Sequence, residues 1–262
     1  MSLNNTVRQT MKKPVVFALG LGLGGILGTA GGIAFVAYSA RQTPRQTIFS
    51  NAVLARAPFD GDWLISWGGE NPKDNHHIGS PPQDRAVDIR KIIPGSGNQT
   101  SQGDPNRNES YGCWAQPIYS PIDGVVEVSV DGVPDNIPGE LNRPSALGNY
   151  VMVKSPAGFV VVLAHLRQSS VAKRAGTPVK VGELLGLCGN SGNSTEPHLH
   201  MHVQSEVSMQ QAVALRMSFP FLTVSGILKE NYTPTRGDII SNARGEPNRS
   251  PEPTAASGRG SP

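Results

Sequence analysis

Gly189-Asn190-Ser191-Gly192-Asn193-Ser194-Thr195-Glu196-Pro197-His198-Leu199-His200-Met201-His202-Val203 passes from a turn-rich stretch into strict alternation of histidine with an apolar residue. Period two is the spacing of a β-strand, so His198, His200 and His202 share one face while Leu199, Met201 and Val203 face a core. Same-face neighbours on a strand stand about 6 to 7 Å apart, from a rise of roughly 3.3 Å per residue. If one of these imidazoles binds a metal, its neighbour can therefore stand beside the metal without ligating it. The chain's six histidines all fall in three short segments, this one, Asn75-His76-His77 and Ala164-His165-Leu166. Segregated imidazoles point to metal ligation and proton transfer rather than to scattered core or surface positions. Asp88 follows the first segment, and a carboxylate with imidazoles suits a catalytic zinc shell, with one position left for water.

Working outward, the rest of the chain reads as β-structure. Apolar or period-two runs occur at Trp63 to Trp67, Ala86 to Ile92, Val125 to Val130, Tyr150 to Val153, Phe159 to Leu163 and Leu184 to Leu187, most of them bounded by Gly, Pro, Asn or Asp. His165 ends one such run. Ser208 to Met217 is the one stretch that suits a short helix, and Ile239-Ile240 suits a final strand. Residues 94–110 and 131–147 are rich in Gly, Pro, Asn and Ser, and loops of that length are expected to wall a groove.

The ends of the chain are different in kind. Residues 1–14 make a short N-terminus carrying Arg8, Lys12 and Lys13, and Val15 to Ala40 contains no charged residue. About 26 residues at roughly 1.5 Å each reach about 39 Å, enough to cross about 30 Å of hydrocarbon with tilt. A transmembrane anchor is expected, with a cleaved signal segment ending near Ala37-Tyr38-Ser39 as the alternative. Gly20, Gly24, Gly28 and Gly32 recur every fourth residue, a stripe on which two anchors can associate as a dimer. Residues 41–61 read as a linker, 62–242 as one catalytic domain and 243–262 as a disordered tail. The 262-residue chain holds 23 Lys and Arg; the three in the N-terminus leave 20, equal to the 20 Asp and Glu. With no basic run in the domain, a nucleic-acid partner is not expected.

Three segments together carry a family resemblance: Arg85-Ala86-Val87-Asp88-Ile89, Ala164-His165-Leu166, and the Asn-Ser-Thr-rich turn leading into His198-Leu199-His200. Over about residues 62–242 they resemble the lysostaphin-type (LytM-like) zinc metallopeptidases that cut peptidoglycan. Tyr119-Ser120-Pro121-Ile122-Asp123-Gly124-Val125-Val126 and Pro178 to Gly186 fit the same pattern. The resemblance implies an all-β, duplicated-hybrid-motif β-sandwich and a zinc ion held by His77, Asp88 and His200. It implies that His165 and His198 assist the attacking water and the developing oxyanion, without assigning which does which. It also implies a peptidoglycan peptide as substrate, and a domain placed on the periplasmic or extracellular side of the cell membrane.

Three departures bear on that reading. The family's usual His-x-x-x-Asp would put a histidine at position 84, which is Asp84, so the first ligand is expected from His77, with His76 as competitor. Leu163 stands where a tyrosine is common, which keeps open a catalytically silent domain that binds wall or regulates another hydrolase. His202 stands where a Phe- or acidic-type pattern is commoner. A phosphocarrier-like domain is a further alternative, since it shares the β-architecture and paired histidines. Cys113 and Cys188 are either a disulfide, as suits an exported domain, or two buried thiols.

Overall fold

The computed structural model describes residues 51–243. Their strands are β1 (Asn51–Val53), β2 (Trp63–Trp67), β3 (Val87–Lys91), β4 (Pro117–Tyr119), β5 (Gly124–Val130), β6 (Asn149–Lys154), β7 (Val160–Leu166), β8 (Pro178–Val179), β9 (Leu184–Leu187), β10 (Leu199–Gln204), β11 (Ala214–Val224), β12 (Ile227–Tyr232) and β13 (Ile239–Ser241). Helix is confined to two three-residue 3-10 turns, Asn108–Ser110 and Arg143–Ser145. The all-β expectation holds over these residues. None of their helices is long and apolar enough to cross a membrane, and the run from Val15 to Ala40 lies outside them.

The sheet order is β1-β11-β13-β2-β3-β10-β7-β6-β5-β8, with β12 on β11 and a separate β4-β9 ribbon. The eleven-residue β11 pairs through Ala214 and Leu215 with β10 and through Thr223 and Val224 with β13. That double pairing closes a ring of β10, β3, β2, β13 and β11. Alternation fills its interior with Trp63, Ile65, Val87, Ile89, Leu199, Met201, Val203, Phe219 and Leu222, all buried in one apolar cluster. Their sequence neighbours Asp88, His200 and His202 consequently lie on the opposite face, and the antiparallel register sets His200 across from Asp88 on one side and from Ala164 on the other.

Two expectations are corrected. Ser208 to Met217 forms no helix: residues from Ala214 onward belong to β11, whose ladders to β1, β10, β12 and β13 outweigh a short helical periodicity. Residues 51–59, read as linker, are part of the folded unit. Asn51–Val53 pairs in parallel with Arg216–Ser218, Ala52, Leu54, Ala57 and Phe59 are fully buried, and Phe59 stacks on Trp63 at 4.4 Å. Cys113 and Cys188 form a disulfide, with Cα atoms 5.8 Å apart.

Candidate metal centre

Five imidazoles converge on Asp88, the middle residue of a strand whose neighbours Val87 and Ile89 face the ring interior. The His200 Nδ1 atom lies 3.0 Å from its Oδ1, His77 Nε2 3.4 Å and His198 Nε2 3.6 Å, while His76 Nε2 lies 3.6 Å from Oδ2. His165 joins through its ring, 4.8 Å from His198 and 5.6 Å from His200. All five residues anticipated from the sequence are thus brought together from β3, β7, β10 with the residue just before it, and the turn that carries His77.

Three of the rings are held from behind through Nδ1. Asn75 donates through Nδ2 to the carbonyls of Gly69 and Asp84, so its Oδ1 is left to accept from the His77 backbone N–H at 3.0 Å and from Nδ1 at 2.9 Å. That places the proton of His77 on Nδ1 and leaves its Nε2 lone pair toward Asp88. His165 donates from Nδ1 to the Ser191 carbonyl at 2.8 Å, and His198 from Nδ1 to the Glu196 carbonyl at 2.8 Å. Both therefore present Nε2 forward. Those carbonyls belong to the Asn-Ser-Thr-rich turn, which is packed so closely that a Cβ on Gly148, at φ +61°, would stand 2.4 Å from the Ser191 oxygen. His165 itself adopts φ +60°, which breaks the alternation of β7 at its end.

The adjacent pair is separated by burial. The side chain of His77 is 10% exposed and that of His76 52% exposed, resting edge-on against Trp67 with no partner behind it corresponding to Asn75. Asp84, four residues before Asp88, does not join the cluster. Its carboxylate accepts from the backbone of Gly79 and Ser80 and so fastens the turn that carries His77.

Burial and mutual field shape the ionisation. Burial alone would raise Asp88, but His198 and His200 hold its carboxyl well below the usual range. Burial pushes His77 down to about 3 and His165 well below the ordinary imidazole value, whereas for His198 burial is overcome by the charge and hydrogen bond of Asp88 together with the Glu196 carbonyl, which raise it. Neutral imidazoles with forward lone pairs around a carboxylate make a donor set for a borderline-soft divalent cation. Donor atoms of His76, His77 and Asp88 lie within 4.8 Å of one another, and His200 Nδ1 lies 3.0 Å from Asp88 Oδ1.

The cluster floors a groove of about 470 Å³. Leu141, Arg143, Ala146 and Leu147 wall one side, so the 131–147 loop serves as expected; residues 94–110 do not line it. Arg90 and Glu196, which form an ion pair, stand at its edge. Sequence reasoning did not single out Asn75 or this pair. Asn75 had one available signal, its place directly before the histidine pair.

Comparison with known proteins bears on the same stretch. Residues 112–213 match the model described as Peptidase family M23. The matched residues include His165, His198 and His200, while His77 and Asp88 precede them and enter through the geometry above. A protein named "Uncharacterized metalloprotease" from Haemophilus influenzae is 37% identical over 84 residues, covering 32% of this chain and 15% of that protein. "Peptidoglycan DD-endopeptidase ShyA" from Vibrio cholerae is 34% identical over 145 residues, covering 55% and 26%. This chain thus matches about a quarter or less of the length of those relatives. A solved structure described as a zinc containing peptidase from Vibrio cholerae is 23% identical, covering 62% of this chain and 39% of that one at a TM-score of 0.37.

Proposed function

We propose that this protein is a zinc metalloendopeptidase that hydrolyses amide bonds in peptidoglycan peptides. The observation that carries the reading is the arrangement of lone pairs: His77, His165 and His198 are each fixed from behind, so that three Nε2 atoms and the Asp88 carboxylate open into one groove. His77 through Nε2, Asp88 and His200 through Nδ1 would hold the metal. Zinc there would supply Lewis acidity at the scissile carbonyl and make hydroxide available near neutral pH. His165 and His198, outside that ligand set, are left to exchange protons. Of these, His198, raised by Asp88, is suited to stabilise negative charge as it develops on the substrate oxygen, and His165, whose Nδ1 is tied to the Ser191 carbonyl, offers its Nε2 lone pair as the acceptor.

The ring and its flanking strands are read as the lysostaphin-type β-sandwich. Residues 15–40 are proposed as a membrane anchor or signal segment, with the domain outside the cytoplasmic membrane. The Cys113–Cys188 disulfide favours that placement, since such bonds persist in oxidising compartments. Dimerisation through the glycine stripe is a separate proposal, tested by Gly24→Leu with Gly28→Leu in a membrane association assay.

Purified chain should release peptide fragments from isolated peptidoglycan, lose that activity with chelator and regain it with zinc. Mass spectrometry of the fragments names the bond. Absence of zinc from the protein, or His200→Ala with unchanged release, would reject the enzyme and leave the silent wall-binding domain.

A further inference from the structure

Behind His200, away from the groove, runs a buried line of side chains. His200 Nε2 lies 3.0 Å from His202 Nδ1, His202 Nε2 lies 3.0 Å from Gln204 Oε1, and Gln204 Nε2 reaches the carbonyl oxygens of Glu206 at 2.6 Å and Val207 at 3.4 Å. His202 and Gln204 are both fully buried. We infer that Gln204 and His202 are positioning residues that dictate which nitrogen of His200 carries its proton, and so present the Nδ1 lone pair of His200 to the metal. The inference rests on His200 being a ligand.

The direction of the line is forced from its far end. Backbone carbonyls only accept, so the Gln204 NH₂ must face Glu206 and Val207 and its Oε1 must face His202. That oxygen in turn only accepts, so His202 carries a proton on Nε2. No acidic side chain among the described residues pairs with His202, the four histidine contacts to Asp88 being those of His76, His77, His198 and His200. With its ring proton committed to Gln204 through Nε2, His202 has Nδ1 left as an acceptor. It takes the Nε2–H of His200. His200 Nδ1 lies 3.0 Å from Asp88 Oδ1, and with Nε2–H committed to His202 it is Nδ1 that is left to face a cation beside that carboxylate. Metal-ligating histidines commonly rely on such an outer partner, and its loss typically costs 10- to 100-fold in metal affinity. Here the partner is another imidazole, and its own orientation is set by an amide clamped to the turn that follows β10.

The test uses the full chain with ¹⁵N-labelled histidine. Two-bond ¹H–¹⁵N correlation spectra should show His202 protonated on Nε2 alone; protonation on Nδ1 overturns the inference, whether or not any variant folds. Zinc affinity, measured by competition with a chromophoric chelator, supplies the second readout. His202→Gln can accept from His200 and donate to Gln204, and should retain most of the affinity. His202→Leu can do neither and should lose about 10- to 100-fold. Gln204→Met, remote from the groove, should shift affinity in the same direction. His202→Leu binding zinc as the wild type does would also overturn it. If His200→Ala leaves zinc affinity unchanged, the metal-centre reading fails instead, a result distinct from either outcome for His202.

Discussion

His76 and His77 differ by one position in the chain and by an entire environment in the fold. Asn75 holds His77 in place and fixes its tautomer, while His76 lies half in solvent against Trp67. Replacing His77 by Ala is therefore expected to abolish zinc retention after dialysis, whereas His76→Ala should weaken it less than about tenfold, the lower end of what an outer partner contributes. Metal analysis of both variants checks the assignment. The same burial predicts a pH dependence for metal-free protein. His77 and His202 are held down at about 3, against about 6.5 for an unfolded histidine. Between those values the unfolded chain binds more protons, so stability falls as pH drops from about 6.5 toward about 3. Asp88, held low, adds to the loss below about 4, while His198, raised, contributes fully below about 6.5 and loses its contribution as pH rises through its folded value. Urea midpoints in chelator should decline steadily from pH 6.5 to 4.5; a flat profile would contradict buried neutral imidazoles.

At the scale of elements, β10 does what its alternation announces, and β11 does not. Leu199, Met201 and Val203 enter the ring interior as period two requires. Ser208 to Met217 carries apolar residues at Met209, Ala212, Val213 and Met217, a helical spacing, yet its second half is drawn into a strand by partners far away in sequence. Short apolar runs are ambiguous for this reason: their periodicity is local and their pairing is not. The Cys113–Cys188 bridge ties the segment before β4 to the end of β9 across 75 residues. Opening it by Cys113→Ser with Cys188→Ser should cost about 2 to 4 kcal/mol in chemical denaturation, with the metal-loaded site otherwise intact. Equal stability of the oxidised and reduced protein would show that the bridge adds nothing to folding.

For the whole molecule, the decisive feature is closure of the ring by β11 and its extension by β1. Beginning the chain at Trp63 removes Ala52, Leu54, Ala57 and Phe59 from the core. Burying Phe59 alone is worth about 1.5 to 3 kcal/mol, so this shortened chain should unfold at clearly lower denaturant than one beginning at Thr47. Indistinguishable midpoints would restore the linker reading. Removing the metal should lower the melting temperature, and excess zinc raise it, because a ligand set assembled only in the folded state couples binding to stability. The sequence alone determined that the domain is β-rich, that His198, His200 and His202 share a strand face, and that imidazoles and Asp88 are the candidate metal-binding residues, because residue type and period two are local properties. Only the tertiary structure decided which of two adjacent histidines is buried against Asp88, that residues 51–59 belong to the core, and that His202 lies covered behind His200. Those outcomes depend on what packs over each face, and that is set by strand pairings between residues far apart in the chain.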